Sequence, residues 1–329
     1  MSAVAPVLEA FFTERLTSQR RASNHTIAAY RDSFCLLLAF AQQRSGKAPS
    51  RLELDDLDAP AIGAFLDHLE HARGNSPRSR NARLAAVHSF FGFAALRCPE
   101  HAALIARVLA IPPKRFDRTD ACFLDSAETE ALLATPDRSQ WLGRRDHALL
   151  AVAVQTGLRV SELSGLCCQD VQLGTGASVR CHGKGRRDRC TPLKPSTAKL
   201  LGAWMRERDG QPGGPLFPTS QGRALSRDAI ALLVAKHATT AAETCPTMRT
   251  KTVTPHTLRH TCAMALLRAG VDVATIALIL GHSNLRSVES YIHADSTLKE
   301  RALARTAPPG TPPGRYRPPD KLIAFLESL

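Results

Sequence analysis

Tyrosine is scarce in this chain. Among 329 residues only Tyr30, Tyr291 and Tyr316 occur, and aromatic residues make up 5% against 44% hydrophobic residues overall. A core drawn mostly from aliphatic side chains favours a helix-rich protein over a sheet built on aromatic cross-strand pairs. Nine cysteines are present, yet no two have the C-x-x-C spacing. An odd count without paired spacing argues against a disulfide framework and fits a reducing, cytoplasmic setting. Cys167, Cys168, Cys181, His182 and Cys190 match no common zinc motif and are expected to be small buried thiols and a bystander imidazole. No apolar run approaches the roughly 20 residues of a membrane span, and the first residues lack the basic-then-apolar layout of a secretion signal. There is no visible repeat and no carboxylate cluster suited to Mg²⁺, so neither a metal nor a cofactor is expected.

What is abundant is positive charge. Forty-three Lys and Arg face 30 Asp and Glu, a net charge of +13, which suits a polyanionic partner. The surplus is uneven: residues 1–110 carry 13 basic and 10 acidic side chains, and residues 111–329 carry 30 and 20. Residues 71–97 hold five arginines and no acid. Four of these lie between 73 and 83, where they would repel one another without a partner. That favours phosphate contact by Arg78, Arg80 and Arg83, which sit near the start of one predicted helix.

Periodicity predicts two domains, each long enough for its own core. Residues 1–110 carry amphipathic helices over about Thr26–Phe40, Ala61–Ala72 and Arg78–Leu96, the last after a Gly74-Asn75-Ser76-Pro77 start signal. The Pro-rich, charged stretch at 111–120 is the expected linker. In the second domain, 121–305, Ser126 is expected to cap a helix, and Arg144–Gln155 forms another that Gly157 ends. Val179–His182 and Asp188–Leu193 flank Gly183-Lys184-Gly185-Arg186-Arg187 as a β-hairpin. One helix opens at Thr254-Pro255, a second covers Val273–Leu280 and stops at Gly281, and a third contains Tyr291. Residues 306–329 form a Pro-rich spacer. They end in Leu322, Phe325, Leu326 and Leu329, an apolar helical stripe too short to stand alone. It is expected to dock, on its own domain or on a neighbouring protomer.

The chemistry gathers in the last third. Thr254 and Pro255 place His256 and Arg259 in the opening turns of a helix, where free N–H groups and the dipole favour an anion. The two are three residues apart and share a face. A guanidinium offers a planar fork of donors to phosphate oxygens, and an imidazole can donate a hydrogen bond or move a proton. Arg159 follows the Gly157 cap and has Glu162 three residues on as a local ion-pair partner. Lys184 sits at a hairpin tip that can reach into a groove, with Arg186, Arg187 and Arg189 beside it to favour DNA contact. Together these groups supply two arginines for a pentavalent transition state, a lysine for a leaving oxygen, and a phenol to attack. A tyrosine with a pKa of about 10 is a poor nucleophile at neutral pH, so a cationic cluster is chemically needed.

The motifs TGLRVSEL, HGKGRRDR, TPHTLRHT, LGHS and SYIH occur in the order found in tyrosine recombinases. The intervals match as well: 23 positions separate Arg259 from His282, and nine separate His282 from Tyr291. The chain therefore resembles the phage integrase, or Xer-like site-specific recombinase, family, strongly over 120–305 and more loosely over 8–110. The resemblance implies a mainly α fold with a small β-hairpin or sheet. It implies an N-terminal helical, SAM-like core-binding domain and a C-terminal α+β catalytic domain.

It also implies roles. Arg159 and Arg259 would bind the scissile phosphate, with Glu162 supporting Arg159. Lys184 would protonate the 5′ oxygen, His256 would assist proton transfer, and His282 would hydrogen-bond the phosphate. Tyr291 would form a 3′-phosphotyrosine bond without ATP. Two protomers would occupy each double-stranded DNA segment and four the synapse, with a related recombinase as an alternative partner. The tail points to a mobile-element enzyme. Two other classes stay open here: a type IB topoisomerase that nicks and reseals one duplex, and a non-catalytic DNA-binding accessory protein.

Overall fold

A computed structural model describes residues 2–116, 122–182 and 188–281. Lys184, Arg186, Arg187, His282, Tyr291 and the tail at 306–329 lie outside the described residues. The chain divides into two compact units between Arg118 and Thr119.

The first unit is helical. Helix α1 (Val4–Ala10) runs on into wider, π-type turns over Phe11–Gln19, and α2 (Asn24–Ser45), α3 (Ala59–His71), α4 (Pro77–Ala94) and α5 (Ala102–Leu109) follow. Side-chain caps start three of them: Ser23, Asp58 and Ser76 each accept from the backbone N–H three residues on, satisfying donors that a helix start leaves orphaned. The core is built around Phe11, which meets Phe34 and Phe90 edge-on at centroid distances of 6.2 and 5.7 Å. Leu84, Val87, Phe90 and Phe91 of α4 are buried, as their spacing predicts. Helices α1 and α5 add elements that the sequence pattern leaves unassigned.

The second unit surrounds α7 (Trp141–Thr156), whose Ala148, Leu149, Leu150 and Val152 have no exposed surface. Before it comes α6 (Ser126–Ala134) and after it the short α8 (Val160–Gly165). Asp125, not Ser126, caps α6: its Oδ1 accepts from Glu128 N while Glu128 Oε2 accepts from Asp125 N, a reciprocal box that Glu128, three residues after Asp125, is placed to close. Three antiparallel strands follow, β1 (Val171–Gln172), β2 (Ser178–His182) and β3 (Asp188–Pro192), paired in that order. β2 and β3 are the expected hairpin, and β1 is additional. Helices α9 (Pro195–Arg208) and α10 (Arg227–Thr244) complete the core, and α11 (Pro255–Arg268) and α12 (Val273–Leu280) pack at its edge. A buried polar chain holds α6, α7 and α10 together: Thr135 meets His237 Nδ1 at 2.9 Å, and His237 Nε2 meets Asp146 Oδ2 at 3.0 Å.

The expected cap at Gly157 carries more than a turn. Its φ is +60°, and a Cβ placed there would stand 2.5 Å from Leu280 Cδ2 and 3.1 Å from Cys262 Cβ. Glycine is thus needed for its backbone and for the close approach of α11 and α12. Gly157→Ala is expected to cost about 3 kcal/mol, from left-handed strain and overpacking combined. The urea midpoint of the purified protein measures it; an unchanged midpoint would show that the helices yield at no cost.

Candidate active site

The site is assembled at two helix ends. Gly157 releases the chain from α7, and two residues later Arg159 stands as the N-cap of α8 with extended backbone. Glu162, three residues on, turns back and accepts from Arg159 N at 2.8 Å through Oε2. The capping geometry thus delivers an acid beside the arginine whether or not the side chains pair. They do pair: Arg159 Nη1 donates to Glu162 Oε1 at 2.9 Å, and Nη2 donates to Gly281 O at 2.8 Å. The Arg159 side chain keeps 34% of its surface exposed. Its remaining N–H groups have no acceptor among the described residues.

Arg259 lies on α11, whose Thr254 cap and Pro255 first turn form as expected, with Thr254 and Thr257 bonded reciprocally. The guanidinium is buried to 2% exposure and donates from Nη1 to Gly157 O and from Nη2 to Leu280 O, both at 2.6 Å. Arg159 and Arg259 therefore grip adjacent carbonyls, Gly281 and Leu280, at the end of α12. Residues a hundred positions apart in sequence converge on one point. His256 sits exposed in the first turn of α11, at the positive end of the helix dipole.

Two participants escaped the sequence. Arg189, expected on the DNA side of the hairpin, turns inward with its side chain 13% exposed. It spans both oxygens of Glu162, at 2.9 and 2.8 Å, and its Nε donates to Ile279 O at 3.2 Å. The strand period holds the missing signal: Arg189 is two residues before the buried Thr191 and opposite the buried Cys181, so it belongs to the inner face. Burial works against its charge, but Glu162 outweighs that and holds the Arg189 pKa above its ordinary value. Burial likewise pushes Glu162 up, and Arg189 with the Arg159 backbone N–H overcomes it, so the carboxylate stays ionised below its usual range.

The other is His260, one turn after His256, with ring centroids 4.2 Å apart in an edge-to-face pair. Burial, then the charges of His256 and Arg259, bring its pKa from 6.5 down to about 4, so it is a neutral ring at physiological pH. Of the cysteines expected to be buried, Cys168 and Cys181 are, Cys167 is half-buried, and Cys190 is exposed, because strand alternation puts it on the outer face of β3. Burial pushes Cys181 up to about 12 and Cys262, beside Arg259, up to about 11.

The arginines of the first unit depart from the expectation of an unpartnered strip. Arg80 faces Glu70 of α3 at 3.6 Å, just outside the acid-free window, and Lys114 shares that carboxylate at 3.0 Å. Arg83 Nη1 donates to Ala29 O and Ser33 Oγ, at 3.1 and 2.9 Å, and so pins α4 to α2. Arg78 alone of the three is exposed, over the Phe116 ring at 5.9 Å.

Both units are similar to known proteins. The phage integrase family matches residues 122–297, and the phage integrase N-terminal SAM-like domain matches residues 10–97. The chain is 53% identical over 328 residues to a protein of Sinorhizobium fredii named as an integrase/recombinase, y4rC, covering 100% of this chain and 99% of that one. It is 32% identical over 283 residues to a tyrosine recombinase XerC of Pelobacter propionicus, covering 86% and 89%. Among solved structures, the XerH site-specific recombinase on its difH substrate superposes with a TM-score of 0.66 at 22% identity, covering 87% and 81%. The Tn1549 transposon integrase on transposon-end DNA gives 0.69 at 16%, covering 91% and 99%.

Two outcomes are expected. Glu162 is 3% exposed between two guanidiniums, so Glu162→Gln should cost about 3 kcal/mol by stranding buried charge, read as a lowered urea midpoint. For His260, the folded pKa lies below the ordinary one. Its contribution is therefore intact above pH 6.5 and is lost as pH falls toward about 4. The melting temperature of the wild type should drop more steeply across that window than that of His260→Gln; parallel profiles would refute the assignment.

Proposed function

The chain belongs to the phage integrase family of tyrosine recombinases, enzymes that break and rejoin DNA, and on that premise we propose how its residues do so. The observation that carries the scheme is the grip of Arg159 and Arg259 on adjacent carbonyls at the end of α12. It sets two guanidiniums side by side, with the exposed edge of Arg159 toward solvent. The chain runs on from there directly to His282 and, nine residues later, Tyr291.

In this scheme the scissile phosphate of double-stranded DNA binds between Arg159, Arg259 and His282. Tyr291 Oη attacks phosphorus, the bond from phosphorus to the 5′ oxygen breaks, and Lys184 gives that oxygen its proton. His256 assists removal of the phenol proton. The products are a 3′-phosphotyrosine and a free 5′-hydroxyl, which conserve the phosphodiester energy, so a 5′-hydroxyl from the partner strand reverses the step without ATP. Preorganised guanidiniums facing the developing charge are worth about a hundredfold or more in rate each. Arg78, Arg186 and Arg187 would add backbone contacts that hold the duplex without reading its sequence. Two protomers on each DNA segment and four in the synapse give the strand exchange its symmetry, in the cytoplasm, where the DNA lies.

A nicked duplex whose cleaved fragment diffuses away traps the intermediate. Wild-type protein should form a covalent adduct that survives denaturing electrophoresis, and Tyr291→Phe should bind the same DNA and form none. Adduct in Tyr291→Phe would move the nucleophile elsewhere. Relaxation of any supercoiled plasmid without recombinants would move the activity to topoisomerase chemistry.

A further inference from the structure

Glu162 is saturated. A carboxylate offers about four lone-pair sites, and all four are taken. Oε1 accepts from Arg159 Nη1 and Arg189 Nη1, both at 2.9 Å. Oε2 accepts from Arg159 N and Arg189 Nη2, both at 2.8 Å. Only one of these four donors is an Arg159 side-chain nitrogen. The two-toothed, fork-to-fork contact that arginine and carboxylate prefer is made by Arg189. Arg159 is left with one tooth on Glu162 and one on Gly281 O, and with its other N–H groups open.

We propose that Arg189 is a positioning residue for Arg159, occupying the fork of Glu162 so that this carboxylate cannot draw the Arg159 guanidinium away from the phosphate. The inference rests on the assignment of Arg159 as a phosphate ligand. It explains why one arginine of an arginine-rich segment points inward. With Arg189 absent, Glu162 has two free sites next to a flexible arginine, and bidentate pairing becomes available in the empty site. The phosphate must then compete with a buried carboxylate for Arg159. The Nε bond of Arg189 to Ile279 O, two residues before the carbonyl that holds Arg159, keeps both arginines registered on the same helix end. Lysine cannot replace it, because a point charge does not span two oxygens.

The test separates positioning from folding by changing the substrate instead of the protein. A scissile methylphosphonate, with one non-bridging oxygen replaced by methyl, lacks the negative charge that Arg159 neutralises. Single-turnover formation of the covalent adduct is measured on nicked duplexes carrying phosphodiester or methylphosphonate, with DNA affinity measured alongside. Arg159→Ala calibrates the ratio: it should be slowed about a hundredfold on the diester and far less on the methylphosphonate. Equal slowing on both would overturn the phosphate-binding role of Arg159 itself.

With that calibration met, Arg189→Met and Arg189→Lys should each be slowed about tenfold or more on the diester, a transition-state loss. They should be slowed less on the methylphosphonate, with DNA affinity unchanged. The ratio of the two rates is independent of how much of each variant is folded. A rate equal to wild type on the diester, or equal slowing on both substrates in both variants, would overturn the proposal and leave Arg189 a structural ion pair.

Discussion

The three described arginines of the site depend on the carbonyls at the C-terminal end of α12. A helix of eight residues leaves its last carbonyls without intrahelical donors and carries partial negative charge there. Ile279, Leu280 and Gly281 each accept from a different arginine: Arg189, Arg259 and Arg159. These come from a strand, a helix interior and a helix cap, so the helix end is what gives three distant segments a common coordinate. Glu162 supplies the single full negative charge among them. Three guanidiniums against one carboxylate and a helix dipole leave positive charge in excess, and that excess is what a phosphodiester would satisfy.

Such a convergence demands backbone approach closer than side chains allow, and two glycines provide it. Gly157 and Gly281 both have left-handed φ, at +60° and +64°. A Cβ on Gly281 would stand 2.7 Å from Arg189 Nη1, as one on Gly157 would meet Leu280. Gly157 contributes its carbonyl to Arg259, and Gly281 contributes its own to Arg159. Helix termination, usually a local matter, here sets the geometry of the cations.

What was legible in the sequence follows from range. The caps at Ser76, Thr254 and Gly157, and the span of Val273–Leu280, are local signals and the structure has them where the residues put them. The order and spacing of the motifs named the family because intervals such as that from Arg259 to Tyr291 are fixed by one continuous stretch of chain. The direction of Arg189 was not legible as one more arginine in GRRDR, because charge composition favours the DNA side while strand alternation favours the interior, and burial beside Glu162 decided it. Glu70 was missed as the partner of Arg80 for a related reason: it belongs to α3, and a window drawn along α4 does not see across to it. Helices α9 and α10 have apolar stripes that only their packing against α7 and α8 completes.

The site uses the two polarities of the helix in complementary ways. The end of α12 gathers cations, while the start of α11 presents His256 at the positive end of its dipole. A phosphate placed between them would meet the positive end of the α11 dipole and guanidiniums held by the α12 end. Neither attraction needs a change in protonation to operate. Arg259 joins the two directly, rising from the second turn of α11 to bond the last helical carbonyl of α12. Because it is buried and held between Gly157 and Leu280, its position is set by packing before any substrate arrives. Arg159, a third exposed, is the adjustable member, and its partners Glu162 and Gly281 O take only two of its donors. A rigid arginine paired with an adjustable one suits a reaction in which the phosphate changes from tetrahedral to pentavalent and back. One contact fixes where the phosphorus sits, and the other follows the oxygens as they move.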